Sequence, residues 1–597
     1  MSNSTEAVGF KKRRWLLPCV VPDELNEHRL IQSLGCHPLI ARLLLTRLIN
    51  EPEQARAFLN PELRNISPPE TLPGMDTAAD LVVQAIKNGR RITIFGDYDV
   101  DGITGTAMLW HLFTAAGATF DIYIPHRVQE GYGMSLAAIQ QIAQRGTQLL
   151  LSVDCGITAI EPVAAARAAG MDVVITDHHE HGAQLPDAQA IVHPRLNGGS
   201  CANPDLCGAG VAFKLCWAIA VRLCKSAKLT DRYRNLLLDF LALAALATIA
   251  DVAPLTGENR ILVKNGLAIL PRCSFPGIQA LLCAAGWKNR KIDGMAVGFS
   301  LAPRLNAAGR MDHAGMAVDL LTTDDSAKAA RIAEYLEEQN RLRQTTEREI
   351  TASALETLNA MSSLPSAIVL CESGWHAGVV GIVASRVVDA FYRPVFVLTH
   401  DGEVAAGSGR SVSGFPLHEA IDHCRDLLIS GGGHAAAGGV RLNLKNLAAF
   451  RDRLCTLAAR MTPPEGFTPA IELDGILESA DIDLGAFEQL EKFAPFGFGN
   501  PRPKFLLKNA RIGAPPRRMG SEGSHLQLQI HAGDRVTRAV GFRMGVLQPS
   551  LRVGMHVDLV VEPVVDRYNG RSKPEVHLVD LARSDAQTLD CVAAAVA

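Results

Sequence analysis

Acidic and histidine side chains fall at matching places along this chain. The apolar run 92–95 leads into Gly96-Asp97-Tyr98-Asp99-Val100-Asp101-Gly102, the run 149–153 into Asp154-Cys155-Gly156, and the run 173–175 into Thr176-Asp177-His178-His179. A fourth acid, Asp251, ends the apolar stretch 240–250. Short apolar runs of this length read as buried strands. In an open parallel sheet, ligands bind beyond the carboxyl ends of the strands. Three neighbouring strand ends would therefore deliver Asp and His side chains into one crevice. Carboxylates that crowd together cannot all stay ionised without a cation. Oxygen ligands mixed with imidazole suit Mn²⁺ or Mg²⁺ better than a thiolate metal. Two such ions about 3.5–4 Å apart can generate hydroxide and clamp a phosphodiester for in-line displacement. Taken singly, each acid is more simply a helix cap; their joint placement at strand ends favours ligation. Gly102 and Gly105 open the next helix with a phosphate-friendly backbone, but without the G-x-G-x-x-G spacing of dinucleotide binders.

The elements that must position these residues read as an α/β fold. From about residue 76, apolar strands at 92–95, 149–153, 173–175 and 190–192 alternate with helical stretches, the pattern of a parallel, doubly wound sheet. Residues 326–358 carry a long polar helical pattern that suits a bridging helix. A second α/β unit follows, and then, past Pro463-Pro464, short strands separated by turns that suggest a small OB-like β-barrel. The expected division is an N-terminal helical cap at 1–75 lying on the next domain, a parallel-sheet domain at 76–325, the bridging helix at 326–358, a second α/β domain at 359–462, the barrel at 463–585 and a tail at 586–597.

Composition sets limits on partners. The 597 residues are 48% hydrophobic and 20% charged, ordinary for a globular chain, and the formal net charge is only −3. Any nucleic-acid surface must then be local. The 13 cysteines include no C-x-x-C pair, which fits reduced thiols in a cytoplasmic protein. The apolar run 240–250 is too short to span a bilayer, so no membrane is expected. Between 501 and 577 there are 13 Lys/Arg against 6 Asp/Glu, with Phe505, Phe542 and Tyr568 interspersed. Basic surface with stacking rings is how OB-folds hold single strands, although Phe542 reads better as barrel filling.

The acid-bearing motifs resemble those of the DHH superfamily, with Asp177-His178-His179 as its name-giving triplet. The match continues through Ala250-Asp251-Val252-Ala253-Pro254-Leu255 and Pro303-Arg304-Leu305-Asn306-Ala307-Ala308-Gly309-Arg310. It extends over Trp375 to Ile382, Gly407-Ser408-Gly409-Arg410-Ser411, and Gly432-Gly433-His434 to Gly438-Gly439, the signature of the accessory DHHA1 domain. With the barrel, this resembles the RecJ exonucleases over nearly the whole chain. The resemblance implies a metal-dependent 5′-to-3′ exonuclease on single-stranded DNA, in DNA repair and recombination. It implies that Asp99, Asp101, Asp154, His178 and Asp251 ligate two ions, Mn²⁺ or Mg²⁺. Asp97 and Asp177 would support them, and His179 would face the scissile phosphate. It further implies single-stranded DNA as partner, with a helicase and a single-strand-binding protein beside a monomeric chain.

The basic residues also have a physical case. Arg127 follows the first acidic loop closely, and Arg410 shares a Gly-rich loop with Ser408; guanidinium forks and hydroxyls suit a terminal phosphate. By resemblance these hold the DNA 5′ end, with Arg304, Arg310 and His434 as further backbone contacts. A structural salt bridge is the alternative for each. Two other functions share parts of the pattern: a phosphodiesterase for small substrates, which needs no basic barrel, and a single-strand-binding scaffold without catalysis, which would lack the metal ligands.

Overall fold

In the computed structural model, residues 13–18, 23–127, 129–196, 201–226, 228–463, 466–567 and 570–584 are described. The chain forms two compact units, one of residues 62–467 with 497–500, the other of 1–61, 468–496 and 501–597.

The first unit opens with five parallel strands in the spatial order Phe120–Tyr123, Ile92–Gly96, Leu149–Val153, Asp172–Thr176 and Ala190–Val192. Two of the three inner strands, Ile92–Gly96 and Leu149–Val153, are buried along their full length. Helices on both sides explain this: Ile92, Ile94, Leu149 and Leu151 pack with Ile103, Leu109, Leu215 and Leu243, while Phe95, Leu150 and Val173 pack with Ile139, Ile142 and Val163. A strand covered on both faces needs continuous apolar sequence rather than alternation.

Helix Asp231–Ala250 is longer than its apolar run suggested. Its 20 residues pass the length and composition test for a membrane span, but Phe240, Leu243, Leu246 and Ala247 lie inside the core. Packing around the sheet accounts for its apolar character.

Helix Ser326–Asn359 joins two cores. Ala329, Ile332 and Leu336 belong to the parallel-sheet core; Ile350, Ala354 and Leu358 belong to the next one, with Val380, Val383 and Val395. Asp325 caps its start, accepting from the N–H groups of Ala327 and Lys328. The second sheet runs Leu428–Gly433, Ala437–Asn443, Val404–Arg410, Val395–His400, Ile368–Ser373, with only the last pair parallel. Ser408 and Arg410 therefore sit on an inner strand, not in the loop their glycines suggested. Those glycines serve packing: a Cβ on Gly407 would come within 2.2 Å of the Val397 carbonyl oxygen, and one on Gly409 within 2.6 Å of the Phe396 ring.

In the second unit, Phe505–Ile512 pairs with both His556–Asp566 and His525–Ala532, which closes five strands into a barrel. The N-terminal helices correct an expectation. Leu30, Leu39, Ile40, Leu43 and Leu44 share one core with Phe487, Phe493, Phe505 and Leu559 of the barrel unit, whereas residues 62–75 of the expected cap stay with the parallel-sheet unit, Leu72 and Met75 in its core. Strand Arg14–Leu16 pairs with Ala470–Glu472, and the Trp15 indole N–H donates to Asp580. The partner of an amphipathic helix more than 400 residues away cannot be read from local pattern.

The barrel's aromatic residues also separate. Phe505 is 2% exposed and fills the core, whereas Phe542 is 53% exposed. Phe505 points inward on its strand; Phe542 comes just after strand Arg535–Gly541, where the chain leaves the barrel wall. Tyr568 and the tail 586–597 lie outside the described residues.

Candidate metal centre

Each acid follows its strand by one residue, and the ladder carries on that far. The Asp97 N–H donates to Val153 O, Asp154 N–H to Thr176 O, and Asp177 N–H to Val192 O. Three neighbouring strand ends thus set their acids side by side. Asp154 itself has φ 63°, a left-handed conformation that Asp tolerates better than most residues. Its carboxyl turns toward the start of helix Gly208–Cys224, where a Cβ on Gly208 would lie 2.6 Å from Asp154 Oδ1.

The following helix supplies two more acids. Asp99 Oδ1 accepts from the N–H groups of Asp101 and Gly102 and so caps helix Val100–Ala116. The capping reading and the ligand reading hold together at this residue. Asp101 is buried, its oxygens accepting from Gly208 N–H at 2.6 Å and Ala209 N–H at 2.7 Å. Gly102 does a different job from the one its position suggested: a Cβ there would lie 2.6 Å from the Asp97 backbone, so the glycine lets the acidic loop close over the helix. Gly105 packs against Val153 and Ala209.

Three ligand groups result: Asp97 with Asp99 and Asp154, Asp154 with His178 and His179, and Asp101 with His178 and Asp251. Within each, the ligand atoms lie within 4.8 Å of one another. They share Asp154 and His178, whose Oδ1 and Nε2 are 3.2 Å apart. The electrostatics fit a divalent cation. Asp97 Oδ1, Asp154 Oδ1 and His178 Nε2 are buried without a hydrogen-bond partner, a costly state unless an ion supplies the missing contacts. Burial first, then repulsion from Asp99, pushes Asp97 well above the usual carboxylate range; burial and the Asp101 and Asp99 charges do the same to Asp154. Asp251 is pushed up to about 8 by burial and by Asp101. Burial holds His178 down at about 4, leaving it neutral as a ligand must be.

Asp177 stands apart. Its oxygens accept from the N–H groups of Ile157, His178 and His179 and from His179 Nδ1 at 2.7 Å. Burial alone would raise this carboxyl, but those bonds win and hold it low. Burial likewise works against the His179 imidazolium, and the Asp177 bond outweighs it, lifting the group to about 9.

These shifts fix a pH dependence for the metal-free protein. Asp97, Asp154 and Asp251 bind protons more tightly folded than unfolded, so the stability they contribute is lost as pH rises toward their folded values. The raised His179 acts in the same direction, present below its unfolded value of about 6.5 and lost through about 9. His178 opposes this only below about 6.5, where the unfolded imidazole charges first. The melting temperature without metal should therefore fall between about pH 6.5 and 8.5, and the rise on adding Mn²⁺ should grow over the same interval. A flat or rising metal-free profile in calorimetry would contradict the coupling.

Cationic groups gather beside the acids. The Arg127 guanidinium lies 4.7 Å from the Tyr98 ring centre. Arg310 donates to Gly378 O, and burial with repulsion from Arg127 and Arg343 lowers it to about 10. Arg410 is lowered by burial and then by Arg127. A Cβ on Gly381, in helix Val380–Phe391, would meet Ser408 Oγ at 3.2 Å and Arg410 at 3.5 Å, so the bare glycine keeps that corner open. Arg127, Arg310, Ser408 and Arg410 are thus brought together. Arg304 is not part of that group: its Nε donates to Glu337 at 2.6 Å and its Nη1 to Ser300 O, so it ties two helices together. His434 stands exposed at the turn of its hairpin, 3.8 Å from Glu180.

Several neighbours had no signal in the pattern of acids. The Tyr132 hydroxyl donates to Asp154 O and lies 2.9 Å from His179 Nδ1. His193 Nδ1 accepts from Arg195 N–H, which leaves Nε2–H to donate to His179 O. Asn306 Oδ1 accepts from Val100 N–H, pinning the acidic loop from the Pro303–Arg310 segment. Tyr132 follows the triplet Gln129-Glu130-Gly131, and only its place between a strand and a helix could have drawn notice.

Comparison with known proteins agrees with this architecture. The DHH family N-terminal domain matches residues 91–248, the DHHA1 domain 364–460 and the RecJ OB domain 473–580. The single-stranded-DNA-specific exonuclease RecJ of Bacillus subtilis (strain 168) is 38% identical over 581 residues, covering 97% of this chain and 72% of that protein. The protein of the same name from Thermus thermophilus is 37% identical over 547 residues, with 90% and 76% covered. The crystal structure of Thermus thermophilus RecJ in complex with Mn²⁺ superposes with a TM-score of 0.82 at 32% identity, covering 98% of this chain and 81% of that one. The chain belongs to the RecJ family of DHH proteins.

Proposed function

We propose that this chain is a metal-dependent exonuclease that hydrolyses single-stranded DNA from the 5′ end. The observation that carries the reading is the set of acids at adjacent strand ends, with three buried ligand atoms left unsatisfied, facing a cluster of arginines. Asp99, Asp101, Asp154, His178 and Asp251 would hold Mn²⁺ or Mg²⁺, and Asp97, whose carboxyl groups with those of Asp99 and Asp154, would join them. Bound there, such ions supply an activated water and neutralise charge on the phosphate. Asp177 orients His179 and keeps it protonated, so that its Nε2–H can donate to a phosphate oxygen or to the departing 3′ oxygen. Arg127, Arg410 and Ser408, with Arg310 behind them, would bind a terminal phosphate and fix which end enters. Arg304 and His434 remain in the proposal only as distant contacts to the strand.

A small-substrate phosphodiesterase would use the same acids. A length series of end-labelled oligonucleotides separates the two: the nuclease reading expects catalytic efficiency to rise with strand length and labelled mononucleotide to leave from the 5′ end first. Efficiency that peaks at dinucleotides would overturn it. From the family resemblance we also take a cytoplasmic role in DNA repair and recombination, as a monomer working beside a helicase and a single-strand-binding protein. Sedimentation of the purified chain, alone and with a single-strand-binding protein, tests both the monomer and the partner.

A further inference from the structure

The loop between strand Phe120–Tyr123 and helix Leu136–Gln144 reaches His179 with a side chain that is neither a metal ligand nor part of the arginine cluster. Both ends of the loop are fixed. Glu130 accepts from the Tyr123 hydroxyl at 2.6 Å and from the His126 N–H at 2.7 Å. Met134 is buried in the core with Tyr123 and Ile139, and Ser135 Oγ caps the helix by accepting from Ala138 N–H. Between these anchors Gly131 and Gly133 have φ 83° and 78°. An L side chain at either position would be strained, so the two glycines let the chain turn on both sides of Tyr132 and present it alone.

The Tyr132 ring is braced edge-to-face, at 5.3 Å from His179 and 6.5 Å from Tyr98 between centroids. Tyr98 in turn packs against the parallel-sheet core and carries the Arg127 guanidinium over its ring. The Tyr132 hydroxyl lies 3.1 Å from Asp154 O, 2.9 Å from His179 Nδ1 and 3.4 Å from His179 Nε2, beside the ring edge between the two nitrogens. Counting protons fixes the roles. His179 Nδ1 must carry a proton to bond the Asp177 carboxylate, so the phenol oxygen faces it as an acceptor and sends its own proton to the Asp154 carbonyl. His179 is then held at three places. Its backbone oxygen accepts from His193, its Nδ1–H donates to Asp177, and its ring edge rests on Tyr132. The first two leave the imidazole free to pivot about the bond to Asp177; the third removes that freedom.

We propose that Tyr132 is a positioning residue for His179. Its hydroxyl locks the imidazole with Nε2–H aimed at the reacting phosphate, and it ties that ring to the peptide of Asp154, a member of two of the three ligand groups. The inference rests on the nuclease reading above and adds a residue that acts through His179 rather than on the metal or the strand. A misaimed donor costs turnover more than binding, because its bond to the substrate strengthens only as charge develops in the transition state.

The test uses the full-length chain at saturating Mn²⁺ on 5′-phosphorylated single strands. Tyr132→Phe keeps the ring and its edge-to-face contacts and removes only the hydroxyl. Its kcat should fall about 10- to 100-fold, the loss expected for a hydrogen bond to a charged group, while KM, the Mn²⁺ dependence of turnover and the melting temperature stay as in the parent. In a His179→Ala background the same substitution should cost less than about twofold more, because the group it positions is gone. Parent-like kcat in Tyr132→Phe overturns the proposal. So does a loss carried by KM or by the Mn²⁺ dependence, which would place the hydroxyl's work at the strand or at the metal, and so does a full second loss in the His179→Ala background. The two readings fail differently. If the parent itself cuts no single strand with Mn²⁺, the nuclease reading falls and this inference falls with it; if the parent cuts and Tyr132→Phe cuts equally well, only the positioning role is lost.

Discussion

Asp154→Asn should lower turnover on single-stranded DNA by at least about a thousandfold while leaving the fold intact. Asp154 belongs to two of the three ligand groups, so one charge lost there disturbs both positions. Asparagine is the informative replacement. It keeps the shape of the side chain and tolerates the left-handed backbone at φ 63°, where alanine would add strain of its own. Without metal, the variant should be at least as stable as the parent, because a buried carboxylate repelled by Asp101 and Asp99 has been neutralised. It should also lose most of the stabilisation that Mn²⁺ gives the parent. Near-normal cleavage at saturating Mn²⁺ would remove Asp154 from the metal centre.

The second large effect is expected from Arg410→Ala. Arg410 stands on an inner strand with Ser408, beside Gly381, and faces Arg127 closely enough for the two charges to oppose each other. Gathering like charges costs stability unless an anion joins them. A charge-assisted Arg–phosphate bond is worth roughly 1.5–3 kcal/mol, so kcat/KM on 5′-phosphorylated strands should fall by about tenfold to a hundredfold. The advantage of a 5′ phosphate over a 5′ hydroxyl should shrink with it. Metal affinity, read from the Mn²⁺ dependence of turnover, should stay as it was. A variant that still prefers the phosphorylated strand would show that the arginine cluster serves another group.

Much of the centre could be read from the sequence because a parallel sheet converts order into position. Apolar runs mark the strands, the residue after each run marks the carboxyl edge, and Asp97, Asp154 and Asp177 occupy that residue in three neighbours. What escaped detection depends on contacts between distant segments. Arg304 and Arg310 lie in one motif, yet Glu337 on the bridging helix claims Arg304, and only the helix packing decides that. Tyr132 and His193 reach His179 from loops with no periodicity to mark them. The glycines around Ser408 and Arg410 looked like a flexible loop because close sheet packing and flexible loops both select glycine. The N-terminal helices were expected on the next domain, but the core shared by Leu30, Leu39 and Leu44 is formed with segments beyond residue 476, which local pattern does not reveal. Their union with the barrel has a practical consequence: a chain cut near Pro463 would strip Leu30, Leu39 and Leu44 of their core, so the barrel is better tested by point substitution than by truncation.

The central claim is metal-dependent, end-selective hydrolysis of single strands, and one measurement addresses it most directly. Purified chain is incubated with 5′-labelled single-stranded DNA, with blunt duplex of the same sequence, and with the 3′-labelled single strand. Each is run in Mn²⁺, in Mg²⁺ and in excess chelator. The account predicts labelled mononucleotide from the 5′-labelled single strand at the earliest times, a slowly shortening ladder from the 3′-labelled strand, little product from duplex, and none with chelator. Release of 3′-terminal mononucleotide first, or product formed in chelator, would contradict it.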